Sequence, residues 1–326
     1  MKKLRIGILG CNYMGSTHAT CYSLLDDADV VAVADLNEEV AKSVADKLGA
    51  KVYTDAAKLI EECELDALDI CLPTFLHARF ALQAMEKGIP YLFIEKPVAL
   101  NNEECKQLLD AQKKSGTQIQ IGQVLRFYDE YVYLKKLIDE KTYGEVVNAT
   151  FKRLSPSPTW SSNNWVRNTK LSGGAVVDLH IHDIDFMLYV FGQPKKYDFV
   201  KNSRGEENSY VMTVCDYGDF AVTVEATWNL PPSYPFNGYY RVVFENAVIE
   251  LERGKLTLYD ADGAREVKPY TEIQVKTEFA AGNLSDITGH LRELKYFTDC
   301  MKADAPIEKA TLPEAVRSLE FVLNEI

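Results

Sequence analysis

The feature that most limits the folds open to this chain is a glycine turn placed directly after its first apolar run: Leu4 to Leu9 leads into Gly10-Cys11-Asn12-Tyr13-Met14-Gly15. A strand that turns on glycine and passes at once into a helix aims helix N-terminal amides at one point, the geometry that holds a phosphate. Gly10 permits the turn and Gly15 permits close packing of helix on strand. Asn12 stands where a G-x-G-x-x-G pattern has its second glycine, and Asn tolerates positive φ better than other residues with a Cβ. Asp35 ends the next β-branched run, 20 positions past Gly15, where a carboxylate accepts from the hydroxyls of an adenine ribose. It would repel a 2′-phosphate, and no Arg follows in Asp35-Leu36-Asn37-Glu38. The pattern therefore points to NAD as cofactor, with NADP disfavoured. The plainer alternative is an ordinary strand-to-helix turn with Asp35 as a helix cap.

The first 120 or so residues alternate β-branched runs with amphipathic stretches, the pattern of βαβ units about a doubly wound parallel sheet. Expected strands are 4–9, 30–34, 51–53, 68–72, 91–94 and 118–121, with helices at 37–48, 76–87 and 101–114. From Gly144 the texture changes to strands in close succession, at 146–151, 210–215, 221–228, 240–244, 248–251 and 256–259, separated by Gly and Asp turns. Hairpin-rich order implies a mainly antiparallel sheet. Helices are expected at 174–191, 290–301 and 313–324, the last opened by Thr311 and Glu314 in capping-box spacing.

Length and charge narrow the classes further. The 326 residues suffice for two domains, and a net charge of −12, from 48 acidic against 36 basic residues, opposes binding to nucleic acid. No apolar run approaches the ~20 residues of a membrane span. The basic start at Met1-Lys2-Lys3 is broken by Arg5 and glycines before a signal core forms, and seven scattered cysteines without a CxxC pair read as thiols of a reducing compartment. The expected location is cytoplasmic.

Two further segments carry candidate chemistry. Glu95-Lys96-Pro97 follows the fifth strand, at the carboxyl edge where open α/β sheets bind ligands. A lysine there can donate to a substrate hydroxyl and favour its alkoxide, although a solvated surface lysine would look the same. Further on, Gly173-Gly174 leads into Ala175-Val176-Val177-Asp178-Leu179-His180-Ile181-His182-Asp183-Ile184-Asp185. At about 100° per residue, Asp178, His182 and Asp185 fall within roughly 60° of one another on a helix. That face suits a general base, with a carboxylate one turn from the imidazole. His180 points away and reads as structural. The alternatives are a polar surface face, or a metal site using His180 and His182, which the helical pattern opposes; no metal is expected.

These residues in this order resemble the glucose-fructose oxidoreductase and inositol dehydrogenase family, Gfo/Idh/MocA. The resemblance covers nearly the whole chain: the glycine turn with His18, Cys71-Leu72-Pro73-Thr74 with His77, Glu95-Lys96-Pro97, Gly122-Gln123 with Arg126-Phe127, and Gly173-Gly174 with Asp178, His182 and Asp185. It implies an N-terminal Rossmann domain, taken as 1–122, and a C-terminal α/β domain on a large open sheet, taken as 123–326, whose last helix could pack back on the first domain. It implies homodimers or homotetramers through that sheet, with Lys96, Asp178 and His182 as the catalytic group. Pro73, Thr74, His77, Glu95 and Gln123 would line the cofactor together with Gly10, Asn12, Tyr13, Met14, Asp35 and Leu72. Asn12 in place of glycine, and His180 where glycine is common, depart from the family pattern.

The activity expected is hydride transfer between an alcohol carbon of a sugar or polyol and a nicotinamide. His182 would take the hydroxyl proton, Lys96 would polarise the oxygen, and Asp178 would orient His182 or bind a neighbouring hydroxyl. Arg126, Trp160, Trp165, Arg167 and Asp185 are expected at the substrate, the aromatic faces against a polyhydroxylated ring. The alternative class is a non-catalytic dinucleotide-binding sensor, which has no chemical need of Lys96, Asp178 and His182 together.

Overall fold

The computed structural model describes residues 3–159, 161–201, 208–269 and 287–325. The chain divides into two compact units, Met1–Val124 with Gln274–Arg317, and Leu125–Ile273 with Ser318–Ile326. The first unit thus takes up a late stretch of the chain that a single break after residue 122 would assign elsewhere.

The first unit alternates β1 (Leu4–Leu9), α1 (Tyr13–Ser23), β2 (Ala28–Ala34), α2 (Glu38–Leu48), β3 (Lys51–Tyr53), α3 (Ala56–Glu62), β4 (Ala67–Ile70), α4 (His77–Lys87), β5 (Tyr91–Ile94), α5 (Asn102–Ser115) and β6 (Gln118–Ile121). The strands form a sheet in the order β3-β2-β1-β4-β5-β6, parallel throughout. Strands buried on both faces need unbroken apolar runs, and Ile6, Ile8, Leu9, Leu68, Ile70, Phe93 and Ile94 are fully buried. Local chemistry sets the helix limits: the Asn37 side chain accepts from the Glu39 and Val40 amides to start α2, and Gly49 ends it at φ 70°. The strand order reverses between β1 and β4, so ligands of such a sheet bind beyond the carboxyl ends of those two strands.

The second unit contains α6 (Asp129–Asp139), β7 (Val146–Pro156), the single turn α7 (Thr169–Ser172), a π turn at Ala175–Leu179 and α8 (Ile181–Phe191). The strands β8 (Lys196–Lys201), β9 (Tyr210–Asp216), β10 (Ala221–Leu230), β11 (Asn237–Phe244), β12 (Ala247–Glu252), β13 (Lys255–Asp260) and β14 (Gly263–Glu266) follow. Their eight-stranded sheet runs β14-β13-β12-β11-β7-β10-β9-β8; β7 and β10 are parallel and every other neighbouring pair is antiparallel. Alternation gives the sheet one buried face, with Phe151, Val224, Tyr240, Val242 and Ile249 at zero exposure. On it α6 and α8 lay aromatic edges: Tyr131 meets Phe186 at 4.8 Å and Tyr240 at 5.2 Å between centroids. Replacing buried Phe186 by Ala would cost about 3–5 kcal/mol on the usual scale of such cavities.

Two helices complete the chain, α9 (Thr288–Ala303) and α10 (Leu312–Leu323). The capping box of α10 forms, Thr311 N donating to Glu314 at 2.8 Å and Glu314 N to Thr311 Oγ1 at 3.4 Å. All seven cysteines are free thiols. Among the described residues no helix is long and apolar enough to cross a membrane.

Candidate active site

In the first unit, every residue expected at the cofactor follows the carboxyl end of a strand or opens the helix beyond it. Gly10 follows β1 with φ +85°; a Cβ there would lie 2.6 Å from the Cys71 carbonyl oxygen. A Cβ on Gly15 would come within 1.7 Å of the Gly10 carbonyl oxygen, so α1 approaches β1 as closely as it does only because Gly15 has no side chain. Asn12 corrects one expectation. Its φ is −74°, so the position makes no demand for left-handed backbone, and its side chain caps nothing in α1. Instead its amide donates to Asp35 Oδ2 at 3.1 Å.

Asp35, beyond β2, is fixed by three donors: Cys11 N at 2.9 Å and the Asn12 amide on Oδ2, and Asn37 N at 2.9 Å on Oδ1. The carboxylate is thereby clamped to the glycine turn and is more than a helix cap. Leu36 beside it is 91% exposed, an apolar side chain held in water next to a fixed acid. Leu36 is not among the residues expected at the cofactor, although a lone leucine straight after the strand-ending acid is a readable signal.

Beyond β4, Leu72 and Pro73 are half-buried, Tyr13 and Met14 on α1 likewise, while Thr74 is buried. His77 is buried with Nδ1 2.8 Å from the Pro97 carbonyl oxygen and Nε2 2.6 Å from that of Leu72. It braces the segment after β4 against the segment after β5, and burial lowers its pKa despite the two carbonyls. Lys96 is half-buried and the Lys96–Pro97 bond is cis. Glu95 and Gln123 are 6% and 2% exposed.

Under this edge lies a polar cluster whose partners no local pattern could reveal. His18 on α1 has no exposure; Nδ1 lies 2.9 Å from Asp69 Oδ2 on β4 and Nε2 3.2 Å from Glu95 Oε1. Cys71 Sγ and His290 on α9 adjoin it. Two sets of ligand-type atoms lie within 4.8 Å of one another here, His18 with Glu95 and His290, and His18 with Asp69 and Cys71. Both share His18, each of whose nitrogens faces a carboxylate oxygen, an ion-pairing arrangement.

In the second unit the segment after Gly173-Gly174 is not the continuous α-helix expected. Both glycines have positive φ, 78° and 72°, and a Cβ on Gly173 would sit 2.3 Å from Val177 Cβ. The chain enters through a π turn closed by His180 N to Ala175 O at 2.8 Å, a departure that recurs at functional sites. From Ser172 to Met187 every residue is buried except Asp178 and His182, both half-buried.

The other polar residues of the segment have buried partners. His180 Nε2 contacts Thr213 Oγ1 at 3.0 Å and Glu325 Oε2 at 3.4 Å; burial pushes this imidazole down to about 3. Asp183 pairs with Arg153 at 2.8 and 3.1 Å. Asp185 takes two bonds of 2.8 Å from Arg126 and one of 2.9 Å from Ser318. Arg126 and Asp185, expected at the substrate, are thus bound to each other at 2% and 1% side-chain exposure. The expected face of Asp178, His182 and Asp185 holds for two members only, because Asp185 turns into the core.

Trp165 packs partly buried on the apolar cluster of Val166, Ala175, Val176, Leu179, Val211, Ala226 and Trp228. Arg167 is exposed. Trp160 lies outside the described residues.

Comparison with known proteins bears on both units. Residues 4–123 match the domain described as "Oxidoreductase family, NAD-binding Rossmann fold" of GFO/IDH/MocA, and residues 131–250 match the GFO/IDH/MocA C-terminal domain. A myo-inositol 2-dehydrogenase of Thermotoga maritima is 30% identical over 203 residues, 61% of this chain and 58% of that protein. A glucose-6-phosphate 3-dehydrogenase of Bacillus subtilis is 31% identical over 220 residues, 65% of this chain and 59% of that protein. The chain therefore spans under two thirds of the length of these curated relatives. Among solved structures, an oxidoreductase of Agrobacterium radiobacter in complex with NAD+, L-tartaric acid and magnesium superposes with a TM-score of 0.84 over 99% of this chain and 95% of that one, at 15% identity, a likeness of fold. With a domain of one family matched in each half, and a parallel six-stranded sheet followed by an eight-stranded mainly antiparallel one, the chain belongs to the GFO/IDH/MocA oxidoreductase family.

Proposed function

We propose that this protein is an NAD-dependent dehydrogenase that oxidises an alcohol carbon of a sugar, an inositol or a related polyol. The observation that carries the reading is the exposure pattern of the segment from Ser172 to Met187, where an otherwise buried stretch leaves one carboxylate and one imidazole, Asp178 and His182, reachable. The names of the relatives from Thermotoga maritima and Bacillus subtilis support the substrate class.

The residues of the first unit fit a dinucleotide. Gly10 and Gly15 leave no room for a side chain at the turn, α1 begins there without a side-chain cap, and Asp35 presents a fixed carboxylate for ribose hydroxyls. The clamped acid and the apolar Leu36 beside it, where a 2′-phosphate would need a cation, favour NAD over NADP. NAD, when bound, supplies the hydride acceptor.

The protein's own part is proton handling and orientation. A ring nitrogen of His182 takes the hydroxyl proton, the Lys96 ammonium donates to the same oxygen and favours its alkoxide, and Asp178 sets the imidazole tautomer or receives a neighbouring hydroxyl. Arg126 and Asp185 act indirectly, by fixing α8, and Arg167 remains a substrate contact in this reading.

We place the protein in the cytoplasm, which its seven free thiols support. We assign it a homodimeric or homotetrameric state through the open face of the second sheet, where Val200, Met212 and Val214 are 67%, 36% and 45% exposed on the adjoining strands β8 and β9.

The test is a panel of inositols, hexoses and hexose phosphates, followed at the nicotinamide absorbance with NAD and NADP in parallel. Reduction of NAD by a polyol is expected, and its loss in Lys96→Met with NADH binding retained. Tight NADH binding without turnover of any alcohol would replace the enzyme by a sensor.

A further inference from the structure

We propose that His18 is the positioning residue for Lys96: held between Asp69 and Glu95, its ring pins the Glu95 carboxylate beside the Lys96 amide and ties helix α1 to the end of β5. The inference rests on Lys96 acting at the substrate, as argued above, but its primary tests need no substrate.

Three contacts make the linkage continuous. His18 Nδ1 faces Asp69 Oδ2 at 2.9 Å, and Nε2 faces Glu95 Oε1 at 3.2 Å. Glu95 Oε2 accepts from the Lys96 backbone amide at 3.2 Å. On its other side the Glu95 carboxylate lies against Gly122, where a Cβ would come 2.8 Å from Oε1. The carboxylate therefore lies between an imidazole, the Lys96 backbone and the bare Cα of Gly122. One ring thus joins the helix that opens on the glycine turn, the strand beside the topological switch and the strand end that carries Lys96.

The surrounding charges favour a doubly protonated His18. Desolvation opposes its charge, but Asp69 and Cys71 outweigh it and raise the pKa well above its ordinary value. Glu95 is lowered: burial works against its charge, and the His18 contact overcomes it. The other groups facing the ring are Tyr22 on α1 and His290 and Glu293 on α9. Burial pushes His290 down to about 4 and Glu293 well up, so burial opposes the charge of both. In this cluster Nδ1 is hydrogen-bonded to Asp69 Oδ2, while Nε2 and Glu95 Oε1 stand at ion-pair distance, 3.2 Å, with no other hydrogen-bond partner for either atom among the described residues. Removing one partner of a buried charge pair leaves the other uncompensated. Glu95 without His18 would take up a proton or turn toward water, and the Lys96 backbone would lose its fixed acceptor. Displacements of this kind, away from the reacting atoms, typically reduce turnover about 100-fold.

The experiment is nitrogen NMR of histidine-labelled protein with and without NADH, combined with kinetics of variants. His18 is expected to show both nitrogens protonated at pH 8, and Glu95→Gln to convert it to a neutral ring with one protonated nitrogen. His18→Leu is expected to lower kcat about 100-fold at unchanged alcohol KM, and to displace the alkaline limb of the kcat profile. His18→Gln, which can still donate to Glu95, should recover part of that loss. A neutral His18 in the wild-type protein would overturn the proposal, as would a His18→Leu enzyme with wild-type kcat and pH profile, or stoichiometric zinc released on replacing His18. If His18→Leu does not fold, the wild-type and Glu95→Gln spectra decide alone. If Lys96→Met keeps full activity while His18 is doubly protonated, the catalytic reading fails and the clamp stands as architecture.

Discussion

Two glycine-led entries into helices, Gly10–Gly15 and Gly173–Gly174, treat the polar residues behind them in opposite ways. At the first, Asn12 is exposed and Asp35 is gathered onto the rim of the turn by the Cys11 amide and the Asn12 side chain. The buried imidazole of this helix, His18, comes three residues past Gly15, behind the turn and not on it. At the second, five polar residues within eight positions are sorted by burial: His180, Asp183 and Asp185 go inward to partners, while Asp178 and His182 stay reachable. A glycine turn thus displays its chemistry by backbone shape, whereas the π turn does so by subtraction, hiding every polar group it does not present.

The sharpest way to break that contrast is to replace one presented and one hidden residue of the same helix. His182→Ala should lower kcat about 1,000-fold or more, within the range of a lost general base, with an unchanged urea midpoint and unchanged NADH affinity. Asp185→Ala should do the reverse to stability, costing about 3–5 kcal/mol because Arg126 is left buried without its carboxylate, measured as a lower urea midpoint at equal slope. If the two variants are equally destabilised, burial does not separate display from support, and His182 loses its place as base.

The sorting also marks how far the sequence was legible. Both sheets, the capping box at Thr311 and Glu314, and the acid at Asp35 followed from periodicity and spacing, since each depends on residues near one another in the chain. The π turn did not, because its apolar spacing is close to that of an α-helix and the left-handed glycines change its register. The inward turn of Asp185 was equally invisible: its partner Arg126 is 59 positions away. Asp183 and Arg153 are 30 apart. Strands β8 and β14 escaped notice for another reason: β8 is mostly exposed and β14 wholly so, without clear alternation. Helices α3 and α6 were also missed. Asn12 was read correctly as a position for Asn but for the wrong reason, since it is chosen for its side-chain donor and not for left-handed backbone.

A smaller effect sharpens the first half of the contrast. If Asp35 is held by the turn in order to receive a ribose, Asp35→Ser should weaken NAD binding by about 10- to 100-fold, the range for a lost hydrogen bond to a charged group. NADP binding should weaken less or improve, so the ratio of the two dissociation constants is the informative quantity. Equal loss for both would mean that Asp35 serves only to tie Cys11 and Asn12 together.

The last effect concerns the hidden side of the second segment, where His180, Thr213 and Glu325 are all at zero exposure. Burial pushes Glu325 up to about 7 from an ordinary 4.5, while Thr213 Oγ1 donates to it at 2.7 Å. Between those two pH values the folded chain holds a proton on Glu325 that the unfolded chain has released, so this residue makes stability fall as pH rises. His180, pushed down from 6.5 to about 3, works in the opposite sense: below pH 6.5 the unfolded chain takes the proton first, and stability falls as pH drops. From pH 4.5 to 6.5 the two slopes cancel, and wild-type protein alone would conceal both. Glu325→Gln removes one of them. Its stability should rise relative to wild type by about 1.4 kcal/mol per pH unit over that window, read from urea midpoints at pH 5, 6, 7 and 8, and the gain should level off above pH 7. Parallel wild-type and variant curves would mean that Glu325 is already ionised when folded, and that this buried corner is held by charge instead of by a shared proton.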